Sequence, residues 1–382
     1  MRIGVLTGGG DVPGLNVAIK SIVTRAHARG HTIIGIRRGW LGLLAVDPSD
    51  EPSRAEWTVP LTPNLVRTID RTGGTILHTS RIDPHKLPKS LAPAHLLARY
   101  GEAGEINATA DVMRAIESLK LDCVIPLGGD GTLRFAAVLS QAGVPVVSIP
   151  KTMDNDVHGT DYAIGFSTAI TRSVDAITAL RTTGGSHERI VVVELFGRLC
   201  GQTALYAGTL AAADRIVIAE SPFDPTRVAE LLESDRLANP SRYSVGVISE
   251  GAKPKGGHLS EHGNPDPYGR KALGGIGELL GEACRKVSKE GVIVQSLAYL
   301  MRSGPPDATD RMIAMGFAAL ALELMEAGKF GRMCALQVGR FTSAPIDIPL
   351  RGAKRVDIPA SFDPEKYRGR IKSVEGLALF GI

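Results

Sequence analysis

The sequence predicts an α/β fold in two lobes, each a parallel sheet with helices on both faces. Three observations predict it. Short β-branched runs recur, each followed by a Gly-rich or polar turn and then by apolar residues at helical spacing. The chain has 382 residues, too many for one ordinary core and too few for three domains of roughly 100–200 residues. Its Gly-rich turns fall in two groups, before and after about residue 150, and the groups are expected to face each other.

Strands are expected over residues 3–6, 32–36, 123–127, 144–149, 190–195 and 243–248, where Ile, Val and Leu run together. Helices are expected over 15–28, 132–142, 167–182 and 202–213, from apolar residues at three- and four-residue intervals. So many strands exceed a comfortable open sheet, which predicts two sheets. Residues 252–269, rich in Gly, Pro, His and Lys, have no periodicity and read as a surface loop. Residues 309–327 read as a long amphipathic helix and 333–338 as a strand. From Asp347 onward the chain is polar with scattered basic residues and one short helix, and 341–382 reads as a solvated C-terminal appendage.

Composition excludes several classes. A net charge of +4, spread along the chain, makes no case for nucleic acid or a membrane surface. Cys123, Cys200, Cys284 and Cys334 lie far apart without a C-x-x-C pair, and no His cluster has metal-ligand spacing, so reduced, buried thiols are expected. The apolar stretch within 316–325 falls far short of the roughly 20 residues that span a bilayer. The N-terminus reaches Gly8, Gly9 and Gly10 at once, with no signal-peptide apolar region. A cytoplasmic protein is expected.

Three segments carry the chemistry. Residues 7–16 read Thr-Gly-Gly-Gly-Asp-Val-Pro-Gly-Leu-Asn, after a strand and at the start of a helix, where backbone amides can receive phosphate. The spacing fits neither the P-loop nor the dinucleotide fingerprint, so a plain tight turn stays open as the alternative. Gly128-Gly129-Asp130-Gly131-Thr132 forms a second such turn. Two phosphate-cradling turns suggest a polyphosphate, and an acid inside one requires a bridging cation, which makes Asp130 a candidate Mg ligand or else a turn former. The third segment, residues 150–156, reads Pro-Lys-Thr-Met-Asp-Asn-Asp. In phosphoryl transfer one of its carboxylates can take a hydroxyl proton while another holds Mg; an Asx-rich turn is the alternative.

In this order, and followed by Gly165-Phe166-Ser167-Thr168-Ala169, these segments resemble the 6-phosphofructokinases over about residues 1–340. Gly-Gly-Asp-Gly-Thr also occurs in NAD kinases and diacylglycerol kinases, whereas Thr-Met-Asp-Asn-Asp is specific. The resemblance implies a phosphofructokinase-like fold of two Rossmann-like three-layer α/β/α lobes with the active site in the cleft between them. About 1–150 would form the donor-binding lobe and about 151–340 mainly the sugar-phosphate lobe, with the chain crossing back. It implies Asp154 as general base, with Lys151 and Arg198 also catalytic, and Asp130 and Asp156 as Mg2+-associated acids. Gly10, Arg81, Gly129, Asp130, Gly131 and Thr132 match donor-binding positions. Thr152, Asp154, Arg189, Phe196, Gly197, Arg198, Glu250, Tyr299 and Arg302 match the sugar-phosphate site. Arginine suits that work because its guanidinium binds phosphate oxygens bidentately. Some of these arginines come from a neighbouring subunit in the family, which implies a homodimer or homotetramer.

The resemblance carries mixed signals on the donor. Gly at position 131 leaves space for the α-phosphate of ATP, whereas Asp there marks pyrophosphate users. Lys151 is the residue of pyrophosphate enzymes, where its charge helps stabilise the transferred phosphoryl group. A subset of ATP-dependent members combines the two. The implied reaction is phosphorylation of D-fructose 6-phosphate at its 1-hydroxyl by ATP, in glycolysis, with pyrophosphate as the alternative donor. Departures fall at the acceptor: Phe196 replaces Met, Tyr299 replaces His, Ser249 replaces Pro, and Ile293 stands at a phosphate-binding Arg position. They motivate a further alternative, a non-catalytic regulatory or sugar-phosphate-sensing homologue, against which the retention of three costly acids argues.

Overall fold

A computed structural model describes residues 1–101, 104–268, 271–370 and 375. The chain divides into two compact units. The first comprises Met1–Thr152, Val157–Gly165 and Arg302–Ala353; the second comprises Met153–Asp156, Phe166–Met301 and the described residues from Lys354 onward.

The first unit is built on a seven-stranded sheet, ordered Arg340–Pro345, Arg332–Gln337, Val147–Pro150, Cys123–Gly128, Arg2–Gly8, Thr32–Ile36, Thr58–Leu61. The inner strands pair in parallel and both edge strands antiparallel. Cys123–Gly128 is buried along its whole length, as a strand covered on both faces must be. Register then places the chemistry: Gly8 pairs with Gly128, so the two glycine turns leave adjacent strands side by side at their carboxyl ends.

The second unit holds a four-stranded sheet, ordered Val292–Ser296, Ile190–Leu195, Ser244–Ser249, Arg215–Val217, with every pair parallel. Leu195 pairs with Ser249, which brings the segments that follow them together. Arg215 is buried and binds Asp235 with Nε at 2.6 Å and Nη2 at 2.8 Å.

Residues 32–36 and 190–195 are strands with the expected bounds, and 15–28 a helix with them. The boundary shifts elsewhere have local causes. The helix expected from 132 begins at Asp130, directly after the Gly129 cap. The strand expected from 144 starts at Val147, because Gly143 has φ 91° and the Val144 N–H turns back to Leu139. The helix expected to 213 stops at Leu210, where Ala212 turns left-handed at φ 50° and Ala213 N–H caps Gly208. Within 252–268 the described chain is loop apart from the short strand Glu261–His262; Gly269 lies outside the described residues.

Beyond residue 340 the described chain packs closely. Arg340–Pro345 pairs along its whole length with Arg332–Gln337. Further on, Tyr367 is buried, and its carbonyl accepts from Ile216 N–H at 2.7 Å, which ties it to the edge strand Arg215–Val217 of the second sheet. Residues 371–374 and 376–382 lie outside the described residues. The four cysteines are buried thiols, and no helix among the described residues is long and apolar enough to cross a membrane.

Candidate active site

In the first unit the loop after Gly8 is shaped by close contacts. Gly9 has φ 83°, a conformation that favours glycine. Its N–H donates to Ser80 O at 2.8 Å, and Thr79 Oγ1 donates to its carbonyl at 2.6 Å. Three cations converge on the next residue. Lys151 Nζ donates to Gly10 O at 2.6 Å. A Cβ on Gly10 would collide with the Arg302 guanidinium and lie 3.8 Å from Arg81 Nη2. Arg302 Nε also stands 3.6 Å from Asp11. Arg302, expected at the sugar phosphate, is thus a neighbour of the glycine loop expected at the donor.

The second glycine turn meets the first through Thr132. A Cβ on either Gly8 or Gly128 would collide with the Thr132 side chain, so both glycines are required by packing. Trp40, buried and edge-on to Phe135 at 5.0 Å, donates from Nε1 to Thr132 O at 3.4 Å and holds the helix start. The helix Asp130–Gln141 receives no side-chain cap at Gly129, so its first amides keep their capacity for an anion. Gly131 differs from its neighbours: a Cβ there would meet no atom within 4 Å.

Lys151 is only 3 % exposed although charged. Its N–H donates to Gly128 O at 3.0 Å, which fastens the third segment beside the second turn. The chain passes into the second unit after Thr152. There Asp154 and Asp156 are half-buried, while Asn155 between them is buried and left-handed at φ 53°. Asn155 Nδ2 donates to Gln202 Oε1 at 2.8 Å. Burial pushes the nearby Cys200 thiol up to about 12, reinforced by the charges of Glu220, Asp156 and Asp154.

Also in the second unit, Phe196, Gly197, Arg198, Glu250 and Tyr299 come together. Ser249 Oγ donates to Gly197 O at 2.7 Å, Thr203 Oγ1 donates to Phe196 O, and a Cβ on Gly251 would collide with Arg198 O. Phe196 and Tyr299 stack edge to face at 5.5 Å. Burial pushes the Glu250 carboxyl up to about 7; the Gly197 amide and the Arg198 charge oppose that shift and Glu194 adds to it. Arg189 does not join this group. It precedes the strand Ile190–Leu195, at the opposite end from Phe196, about 20 Å away at the usual rise per strand residue. Its neighbour there is Gly291, beside the strand that carries Ile293.

Asp130 and Asp156 each offer the carboxylate oxygens that a magnesium ion carried on a phosphate ligand would take. Mg2+ takes hard oxygens, keeps several waters, and is commonly bound by one or two carboxylates together with substrate phosphates. No group of three or more His, Cys, Asp or Glu among the described residues is placed to hold an ion unaided. Asp130 opens a helix, with its carboxylate half exposed and both oxygens 2.8 Å from Arg134 Nε. Sequence reasoning missed Gln202, Glu220 and Thr79, whose roles arise from contacts distant along the chain and leave no local signal.

Glycine turns at strand carboxyl ends, an uncapped helix start and converging cations define an α/β protein built to bind phosphate groups. The sequence pattern of the phosphofructokinase family matches residues 2–325, and the chain belongs to that family. It is 39% identical over 340 residues to the ATP-dependent 6-phosphofructokinase 3 of Streptomyces coelicolor, covering 88% of this chain and 91% of the relative. It is 37% identical over 372 residues to the pyrophosphate–fructose 6-phosphate 1-phosphotransferase of Dictyoglomus thermophilum, covering 95% and 96%. The fold matches the crystal structure of a pyrophosphate-dependent phosphofructokinase from Marinobacter aquaeolei with a TM-score of 0.75 at 17% identity, over 97% of this chain and 89% of that one.

Proposed function

We propose that this protein is an ATP-dependent 6-phosphofructokinase, transferring the γ-phosphoryl group of ATP to the 1-hydroxyl of D-fructose 6-phosphate. Its products are fructose 1,6-bisphosphate and ADP. Asp154 takes the proton of the attacking hydroxyl as the new O–P bond forms and the bond to the β-phosphate oxygen breaks. Lys151 and Arg198 offset the negative charge on the group in flight. The two glycine turns, with Arg81 and Thr132, receive the donor phosphates, whereas Arg198, Glu250, Phe196 and Tyr299 receive the sugar phosphate. Asp130 and Asp156 would hold Mg2+, which supplies charge neutralisation on the phosphates when bound.

The observation that carries the donor assignment is the open space at Gly131, where the fold itself does not require glycine. Lys151 favours a second reading, pyrophosphate as donor, and relatives at similar identity bear both names. Initial rates with fructose 6-phosphate and Mg2+, comparing ATP and pyrophosphate, decide between them. Activity with ATP and not pyrophosphate is the expected result; the reverse would overturn the donor. Asp154→Asn should lower kcat by orders of magnitude with little change in folding, and wild-type turnover in that variant would overturn the reaction.

The place of Arg189 supports an assembly of at least two subunits. A basic residue about 20 Å from its expected partners in one chain can serve the sugar phosphate of a second copy.

A further inference from the structure

The chain re-enters the second unit at Lys354 and at once meets the turn that carries the two acids. Lys354 N–H donates to the main-chain oxygen of Asp156 at 2.9 Å. Two residues on, Val356 N–H donates to Glu220 Oε1 at 2.9 Å. Both Glu220 oxygens also accept from Gly201 N–H at 3.0 Å, and Gly201 caps the helix Gln202–Leu210. Gln202, the first residue of that helix, accepts from Asn155. The bonds therefore close a ring around the turn, reaching Asp156 through Lys354 and Asn155 through Gln202.

Such a turn needs external fixing. Two carboxylates separated by one residue repel each other, and Asn155 between them is left-handed, a conformation Asn adopts more readily than other non-glycine residues and which the Gln202 contact holds in place. The far end of the re-entrant segment is itself anchored. Besides the bond from Ile216, Tyr367 takes Asp224 N–H on its hydroxyl at 3.1 Å, and Arg215 Nη1 donates to Lys366 O at 2.7 Å. The segment is held at both ends and bonded to the acid-bearing turn at its start.

We propose that residues 354–369 form a strap that positions the Asp154–Asn155–Asp156 turn for catalysis, with Glu220 and Gln202 as the positioning residues that link strap and turn. The proposal rests on the reading of Asp154 and Asp156 as catalytic acids. Its physical basis is that a displacement of about 1 Å at a reacting group lowers turnover about 10²-fold without altering the groups that bind substrate.

The test uses the full-length enzyme and three variants at different points of the ring: Gln202→Met, which keeps volume and removes the acceptor, Glu220→Ala, and Tyr367→Ala at the far anchor. Each should lower kcat by about 10- to 100-fold while KM for donor and sugar phosphate stays within about 3-fold. The double variant Glu220→Ala/Tyr367→Ala should be no slower than its slower parent, since both act through one element. Full turnover in Gln202→Met or Glu220→Ala would overturn the proposal. So would a loss of activity in Gln202→Met that merely follows the unfolded fraction. If Asp154→Asn is inactive and Glu220→Ala fully active, the strap alone falls; if Asp154→Asn turns over normally, the catalytic reading falls first.

Discussion

Lys151 Nζ donates to the main-chain oxygen of Gly10 at 2.6 Å, joining the third chemical segment to the first glycine loop across 141 positions of sequence. A buried ammonium is costly unless it is hydrogen-bonded, and this one has a carbonyl partner on a loop where two guanidinium groups also gather.

Lys151→Met keeps the side-chain length and removes the charge. If the ammonium stabilises the transferred phosphoryl group, kcat should fall by about 10²–10³-fold. Steady-state kinetics, with circular dichroism to confirm folding, check this, and a variant with unchanged kcat would reduce Lys151 to a structural tie.

Gly131 and Gly128 should respond in opposite ways. Gly131→Asp places an acid in the first turn of a helix, where the dipole favours it by about 0.3–1 kcal/mol, and its Cβ meets nothing within 4 Å. Thermal stability should hold or rise, while the ATP rate collapses and the pyrophosphate rate stays or increases. Gly128→Ala collides with Thr132 and should lose about 1–3 kcal/mol of stability, together with activity toward either donor. Melting curves and initial rates on both variants separate a glycine kept for the ligand from one kept for packing.

Glu250 gives a pH dependence with a definite sign. Its carboxyl is raised from 4.5 to about 7 in the folded protein, mainly by burial. The folded state therefore binds the proton more tightly than the unfolded state. The stabilisation is complete below 4.5 and is lost as pH rises through about 7. Glu250→Gln, fixed in the neutral state, should remove that component. Urea midpoints measured from pH 5 to pH 8 should be flatter in the variant than in the parent; parallel curves would exclude the shift.

Arg198 and Arg189 lie at opposite ends of the strand Ile190–Leu195. If one copy's Arg189 completes the site of another, Arg198→Ala and Arg189→Ala should each be nearly inactive alone. Co-refolding the two should restore part of the activity, because a mixed assembly then contains sites with both arginines. No recovery in verified mixed assemblies would confine each site to one chain.

Much of the fold was legible because it is written in short-range pattern. The strands at residues 32–36 and 190–195 and the helix at 15–28 follow from apolar periodicity alone. The glycine turns were legible for the same reason, since a left-handed residue such as Gly9 and close approaches such as those of Gly8 and Gly128 to Thr132 call for glycine. Boundaries were less legible: Ala212 and Gly143 end their helices by left-handed caps whose hydrogen bonds no propensity records.

By itself the sequence determined the α/β class, the two sheets, the two glycine turns and the acidic segment, all through residues within a few positions of one another. Only the tertiary structure decided which distant side chains join them. It set Arg302 beside Gly10, packed Thr132 against both Gly8 and Gly128, placed Arg189 at the opposite end of its strand from Phe196, and returned the chain at Lys354 to Asp156. Strand order, register and chain return determine such meetings; they are properties of how buried surfaces find one another, and no local spacing encodes them.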